Sequence, residues 1–429
     1  MNTPKTVPRS GWLGCAVALG LSSVMGWMAV QHGLAWHWGS SQDVALWQRA
    51  ADWEPDNPDH WYRLGRHYQV DFEGADPRQA IANYVRATTM APGTARYRLD
   101  LAEAQETAMQ VEKAEQSFRR AQQAYPLSAD AAWRFGNFLL RQGRQDEAYQ
   151  EVRKALSVEP GLTSLAISRC WQSTQDIEKI LKLALPPQVD TYWGAIDFLV
   201  DAREPDSAMA VWKRLMASHP SFPLHKSFRL QEMLLETGHP EDAHAVWQQS
   251  LVAAAVSDTS REKGSLVWNG GFEQDLLNGG FGWRFRTIRG AGLSFDPGMA
   301  HSGARSIRME FDGSGNIDFQ QPWQYVVLEP NTRYRLTAYF RTERLATSSA
   351  VRLELNETHF GDTLEKTADL PETQAWAASE IEFTTGADTR LARLVLRRRP
   401  SPKLDNKISG TIWMDDVSLI PLVESSALR

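Results

Sequence analysis

Between residues 283 and 325, flat aromatic rings alternate with planar polar side chains. Trp283 is followed by Arg284 and Arg286, and Gln320-Gln321-Pro322-Trp323 is followed by Tyr325. Aromatic faces stack on the apolar faces of sugars, and guanidinium and carboxamide groups match their hydroxyls, so such a set suits a glycan surface. Tyr339 and Trp376 are further aromatic candidates. The glycines at 279, 280 and 282, and Pro322, put Trp283 and Trp323 at loop edges. Trp413 and Phe272 share strand parity with apolar neighbours and are expected in a core.

Paired carboxylates would carry a different chemistry, because glycosidic bonds are cleaved between two of them. Asp415 and Asp416 are adjacent on an expected strand, where successive side chains leave on opposite faces, so they are not expected to share a substrate. Glu380 and Glu382 share a face, but Ile381 and Phe383 fill the other, as in an amphipathic surface strand. The sequence holds no nucleophile elbow, zinc-protease, phosphate-loop or dinucleotide motif, and its ten histidines show no ligand spacing. Cys15 and Cys170 make neither a disulfide framework nor a CxxC pair. No catalytic residue is expected. A net charge of -6 gives no reason to expect nucleic acid, and the short run Arg397-Arg398-Arg399 reads as a strand end with solvated charges.

Period-two stretches must position these residues. Tyr334–Phe340, Val351–Leu355, Ser379–Phe383 and Ala392–Leu396 alternate apolar with polar residues and are separated by Gly, Pro, Asn and Asp, the pattern of an antiparallel β-sandwich. The polar segment Ser257–Gly264 precedes them as a linker.

Upstream, the period is helical. Ala80, Tyr84, Ala87 and Pro92 recur as Ala114, Phe118, Ala121 and Pro126, then as Ala148, Val152, Ala155 and Pro160, each set 34 residues after the last. Offsets of 4 and 7 put these side chains on one helical face, small residues allow close approach, and proline ends the helix. Trp61, Leu64, Gly65 and Tyr68 begin the first pair; Leu101-Ala102 and Phe135-Gly136 mark the centres of the next two. These patterns resemble the tetratricopeptide repeat. Ala208, Trp212, Leu215 and Pro220, with Tyr192, restore the pattern, and Ala243 with Trp247 suggest a final repeat. Leu162–Pro187 breaks the phase, which predicts a shortened helical pair, and Asp71–Pro77 adds about three residues to the first turn. The resemblance implies a solenoid whose groove holds a protein partner.

The start of the sandwich, Leu266-Val-Trp-Asn-Gly-Gly-Phe-Glu-Gln274, resembles that of family 4/9 carbohydrate-binding modules. His301–Arg308, Leu328–Tyr334 and Gly410–Leu419 resemble further stretches of that family, in order, over Gly264 to Leu422. The resemblance implies a galactose-binding-like jelly roll, a fold that serves both sugar binding and inert spacing. It also implies a structural calcium near Glu273, Gly303 and either Asp416 or Asp415, held by hard oxygen donors. The alternative is that Glu273 and an Asp satisfy backbone donors at strand ends. Gly270-Gly271 is expected to supply a conformation that residues with a Cβ resist.

Trp12–Val30 carries no charge, is about the length a membrane-crossing helix needs, and follows Lys5 and Arg9. It predicts an uncleaved anchor with a cytoplasmic N-terminus and the bulk of the chain extracytoplasmic, periplasmic in a Gram-negative cell. A cleaved signal ending near Gly33-Leu34-Ala35 is the competing reading. The fold class is therefore multidomain α plus β. Residues 1–11 form a cytoplasmic N-terminus, 12–30 a transmembrane anchor, 41–256 a repeat solenoid, 257–263 a linker, 264–422 a jelly-roll sandwich and 423–429 a tail. The expected function is a non-enzymatic, membrane-anchored adaptor for envelope or exopolysaccharide assembly or export. It binds a protein through the repeats and a polysaccharide through Trp283, Trp323, Tyr325, Gln321 and Arg284. A pure protein scaffold with an inert sandwich is the alternative, and a glycoside hydrolase ranks last.

Overall fold

The computed structural model describes residues 10–41, 43–71, 74–258, 264–357 and 363–422. The expected cytoplasmic N-terminus up to residue 9, most of the expected linker and the tail lie outside the described residues. Two compact units, Met1–Thr191 and Tyr192–Arg429, make up the chain.

Unit 1 is helical. Helix α1 (Ser10–Gly39) contains a stretch, Cys15–Gly39, long and apolar enough to cross a membrane or to act as a signal sequence. It is followed by α2 (Val44–Trp53), α3 (Pro58–Val70), α4 (Pro77–Met90), α5 (Ala95–Thr107), α6 (Val111–Ala124), α7 (Ala129–Arg141) and α8 (Gln145–Val158). Helix α9 (Thr163–Ser173) and the seven-residue α10 (Ile177–Leu183) form the shortened pair expected where the repeat phase breaks. The repeat positions Ala80, Tyr84, Ala87, Ala114, Phe118, Ala121, Ala148, Val152 and Ala155 are all fully buried. Helices α4, α6 and α8 each end two residues before the repeat proline, because the residue preceding a proline resists the helical conformation. Gly65 is the small residue that close packing demands: a Cβ there would lie 2.7 Å from the Tyr84 ring. Near the end of α1, Trp38 packs edge-on against Trp53 at 5.5 Å, and Gln31 Nε2 donates to the Trp53 carbonyl at 2.8 Å.

Helix α11 (Val189–Ala202) leads into unit 2, which continues with α12 (Pro205–Met216), α13 (Phe228–Glu236) and α14 (Pro240–Ala253). Trp193, Trp212 and Phe222 form an edge-to-face cluster with centroids 5.0 to 5.9 Å apart. The rest of unit 2 is a two-layered antiparallel sandwich. Its strands are β1 (Ala291–Asp296), β2 (Ser306–Asp312), β3 (Phe319–Val327), β4 (Arg333–Thr347), β5 (Val351–Glu357), β6 (Thr363–Lys366), β7 (Gln374–Thr384), β8 (Leu391–Arg398) and β9 (Ile408–Pro421). One sheet runs β1-β2-β9-β4-β7 and the other β3-β8-β5-β6. Between them lies one apolar core, to which β2 contributes Ile307, Met309 and Phe311, β4 Tyr334, Leu336, Ala338 and Phe340, and β8 Ala392, Leu394 and Leu396.

Three local expectations are corrected. In β9, Ile412 and Met414 face the core, and then Val417 and Leu419 do, so the alternation slips by one residue. Asp416 sits at φ 44, and the register with β4 shifts nearby, which marks a β-bulge. Asp415 and Asp416 therefore both reach the 301–302 turn instead of leaving on opposite faces. The Arg397–Arg399 run is not a solvated strand end. Arg398 is fully buried, donating to the carbonyls of Ile317 and Asn406 at 2.6 Å each, while Arg399 pairs with buried Glu354 at 2.6 Å. Finally, the left-handed residues of the opening segment are Asn269 and Phe272, not the glycines between them. Gly270 is small for another reason: a Cβ would lie 1.8 Å from the Val417 carbonyl oxygen, where β9 runs alongside.

Candidate functional site

The outer face of the four-stranded sheet carries the aromatic and polar set. A register shift between Gln320 and Trp323 lets Phe319 and Val326 both face the core, while Gln320, Gln321 and Trp323 line a cleft. Arg284 is bridged to Trp323 by two backbone hydrogen bonds of 2.8 and 3.1 Å, which adds the 284–286 segment to the edge of β3. Asn278 Oδ1 accepts from the Phe285 amide at 2.8 Å, and Gln321 Oε1 accepts from the Arg286 amide. The cleft encloses about 680 Å³ and is lined by Asn278, Arg284, Phe285, Arg286, Asp318, Gln320, Gln321, Trp323 and Arg393.

Trp323 is the platform of this cleft. Tyr325 meets it edge-on at 4.9 Å, and the guanidinium groups of Arg284 and Arg393 lie 4.7 and 5.6 Å from its ring centroid. Burial pushes the Tyr325 hydroxyl pKa up from its ordinary value. Arg284 is ion-paired with Glu232 of α13 and donates to the Gly280 carbonyl at 2.7 Å. A ring with cations beside it and carboxamides around it can bind a polyhydroxylated chain.

Of the residues expected on a glycan surface, Trp323, Tyr325, Gln321 and Arg284 come together here. Trp283 does not. It is fully buried, with its ring 5.3 Å from Phe272 and its Nε1 donating to the Asn269 carbonyl at 3.2 Å, because the tight 279–282 loop turns it into the sandwich core. Tyr339 and Trp376 belong to the opposite sheet, where His301 stacks on Tyr339 at 3.7 Å and meets Trp376 at 5.8 Å. Asp318 and Arg393 were not legible beforehand. Arg393 reaches the cleft because β8 pairs with β3 in a register that sets it against Tyr325, a pairing of segments about seventy residues apart that alternation alone does not specify.

Three carboxylates surround the 301–305 turn. Glu273 Oε1 accepts from the Ala304 amide at 2.9 Å, and Gly303, at φ 67, leaves room for it: a Cβ there would lie 2.1 Å away. Asp416 accepts from Ser302 Oγ at 2.9 Å and from His301 Nδ1 at 2.7 Å. Asp415 is fully buried and accepts from the amides of His301, Ser302 and Asp416 at 2.8 to 3.2 Å; burial pushes its carboxyl pKa up to about 6. Among the described residues, no group of three or more His, Cys, Asp or Glu is placed to hold a metal ion. Calcium calls for about six to eight oxygen ligands, whereas these carboxylates are already engaged by the turn.

Glu380 and Glu382 face arginines, and Glu382 also borders a cavity with Asn331, Thr332 and Arg333. Arg335 binds Glu382 at 2.6 Å and holds its carboxyl below the usual range, Arg333 pairs with it at 2.6 Å, and Arg335 lies 3.4 Å from Glu380. Glu382 is thus a committed anion, unsuited to donate a proton to a leaving group.

Unit 1 has its own groove, of about 460 Å³, along α5, α7 and α9. Trp133, Leu140 and half-exposed Leu165 supply apolar surface, and Asn137, Arg141 and Arg169 supply donors. Arg134 is fixed by Asp100 at 2.7 Å, Asp130 at 3.0 Å and Glu103 at 3.3 Å, while Tyr62 donates to Asp100 at 2.6 Å. Side chains anchored in this way form a firm surface.

Residues 69–129 and 109–161 match the family model described as tetratricopeptide repeat. No curated protein matches the sequence. Among solved structures, the chain is similar to MamA, at 17% identity and a TM-score of 0.27 over 41% of this chain and 85% of that one. It is also similar to a CBM4 protein, at 15% identity and a TM-score of 0.29 over 36% of this chain and 99% of the other. A family 16 carbohydrate-binding module gives 21% identity and a TM-score of 0.25 over 36% and 99%.

Proposed function

We infer that the tetratricopeptide repeats matched over residues 69–161 form a scaffold for protein–protein interaction. We propose that the whole chain is a membrane-tethered, extracytoplasmic adaptor: the repeat groove holds a protein partner, the Trp323 cleft takes a glycan, and the pairing serves envelope or exopolysaccharide assembly or export. The observation that carries the glycan half is the convergence on one cleft of Trp323, Gln320 and Gln321 with Arg284 and Arg286 of one segment and Arg393 of another. A sandwich that served only as a spacer would have no use for an aromatic platform framed by donors. The membrane half rests on the apolar helix and on the basic residues ahead of it.

Glycan-array binding by the full chain in detergent tests the reading. Binding is expected, with a loss of tenfold or more on Trp323→Ala at an unchanged melting temperature, since stacking and its neighbours contribute about 1–3 kcal/mol. If no glycan binds while a protein partner is retained, the sandwich is a spacer and the glycan half fails. A reporter fused to the C-terminus is expected to be active outside the cytoplasm, and cytoplasmic activity would overturn the topology.

A further inference from the structure

We infer that the glycan taken by the Trp323 cleft is acidic, a chain bearing carboxylates that Arg286 and Arg393 bind. This inference rests on the glycan reading above and specifies its ligand.

The cleft holds more guanidinium charge than the protein itself balances. Arg284 is matched by Glu232, and Asp318 is taken up by Arg397. Two cations are left. The only polar partner of the Arg393 side chain among the described residues is neutral, the Gln320 carboxamide at 3.2 Å, and its guanidinium rests near the Trp323 ring. Arg286 is exposed, and its side chain makes no ion pair or hydrogen bond among the described residues. Elsewhere on the sandwich, Arg305, Arg308, Arg333, Arg335, Arg352 and Arg399 each have a carboxylate within 3.0 Å. Arg289, Arg341 and Arg398 show no ion pair among the described residues either, but Arg286 and Arg393 are two such cations lining a single cleft.

A guanidinium binds a carboxylate through two parallel N–H donors, and it does so more strongly beside an apolar wall than in open water. Trp323 supplies that wall and a face for the sugar ring, while Asn278 Nδ2 and Gln321 Nε2, whose amide oxygens are taken by the Phe285 and Arg286 amides, are left as donors for hydroxyls. A neutral chain lying over the platform would cover two cations and offer them no counter-charge. The chain as a whole carries a net charge of -6, so diffuse attraction does not bring a polyanion to it; binding must come from a local site.

The test compares the full chain in detergent, by affinity electrophoresis and calorimetry, against three polyuronates (alginate, polygalacturonate and polyglucuronate), carboxyl-reduced alginate and dextran. At least one polyuronate is expected to bind, and carboxyl-reduced alginate to bind no better than dextran. Arg286→Gln and Arg393→Gln are each expected to weaken polyuronate binding about tenfold, the size of one charge-assisted contact. Arg344→Gln, on the other sheet, should leave binding unchanged, and melting curves should show all three variants folded. Equal binding of neutral and acidic polymers, or full polyuronate affinity in the Arg286→Gln/Arg393→Gln double variant, overturns the acidic ligand while leaving glycan binding intact. Failure of every polymer to bind overturns both.

Discussion

Single residues decide more in this sandwich than their types suggest. Gly270 is pressed against the Val417 carbonyl, with 1.8 Å available to a Cβ, whereas a Cβ on Gly271 would meet only the Asp416 carboxylate at 3.6 Å. Gly270→Ala is therefore expected to cost at least about 3 kcal/mol, or to prevent folding, and Gly271→Ala less than about 1 kcal/mol, as read from urea denaturation. Glu354 shows how charge is stored inside the sheet. Burial raises its carboxyl pKa, but Arg399 and Arg352 outweigh that effect, so the net shift is downward from 4.5. A depressed carboxylate contributes stability above its unfolded pKa and loses that contribution as the pH falls through the folded value. Glu354→Gln is expected to lower the melting temperature at pH 7, and its deficit should shrink below pH 4.5; a deficit constant with pH would refute the ion pair's role. At the 301–305 turn, Glu273 and Asp416 already have hydrogen-bond donors. EDTA is therefore expected to leave the melting temperature unchanged, and a rise with millimolar Ca²⁺ would show that the ion displaces those donors from the carboxylate oxygens.

At the scale of elements, α13 and α14 hold the loop that walls the cleft. Trp247 meets Trp268 at 5.6 Å and Phe281 at 6.2 Å, and a Cβ on Gly279 would lie 2.1 Å from the Phe228 ring. Glu232 reaches from α13 to Arg284, the residue over Trp323. A sandwich residue is thus positioned by a helix. Glu232→Gln is expected to cost about 1–3 kcal/mol, because it leaves a mostly buried guanidinium without its counter-ion. Trp247→Ala should cost about 3–5 kcal/mol by opening a cavity between helix and loop. Denaturation of the two variants and of their double mutant measures both costs, and additivity within about 0.5 kcal/mol would show that the two contacts act independently.

For the whole molecule, the division into compact units falls between Thr191 and Tyr192, so α12, α13 and α14 share a unit with the sandwich. A fragment of residues 192–422 is expected to unfold in one cooperative transition. A fragment of residues 264–422 uncovers Trp268 and Phe281, both buried in the full chain, and should melt lower and bind hydrophobic dyes. Equal melting temperatures would show that the helices add nothing to the sandwich. The sequence alone determined the features set by local spacing. The 34-residue recurrence specified the paired helices, because each repeat position answers to neighbours a turn away or in the adjoining helix, and period-two stretches specified β4, β5, β7 and β8. Composition and order also drew Trp323, Tyr325, Gln321 and Arg284 into one set. Only the tertiary structure decided that Trp283 turns inward, that Arg393 completes the cleft, that Arg398 is buried and that Asp415 and Asp416 meet at one turn. Those outcomes depend on strand register, a bulge and the approach of distant backbone, which are fixed by packing between segments far apart in the chain and leave no periodic trace along it.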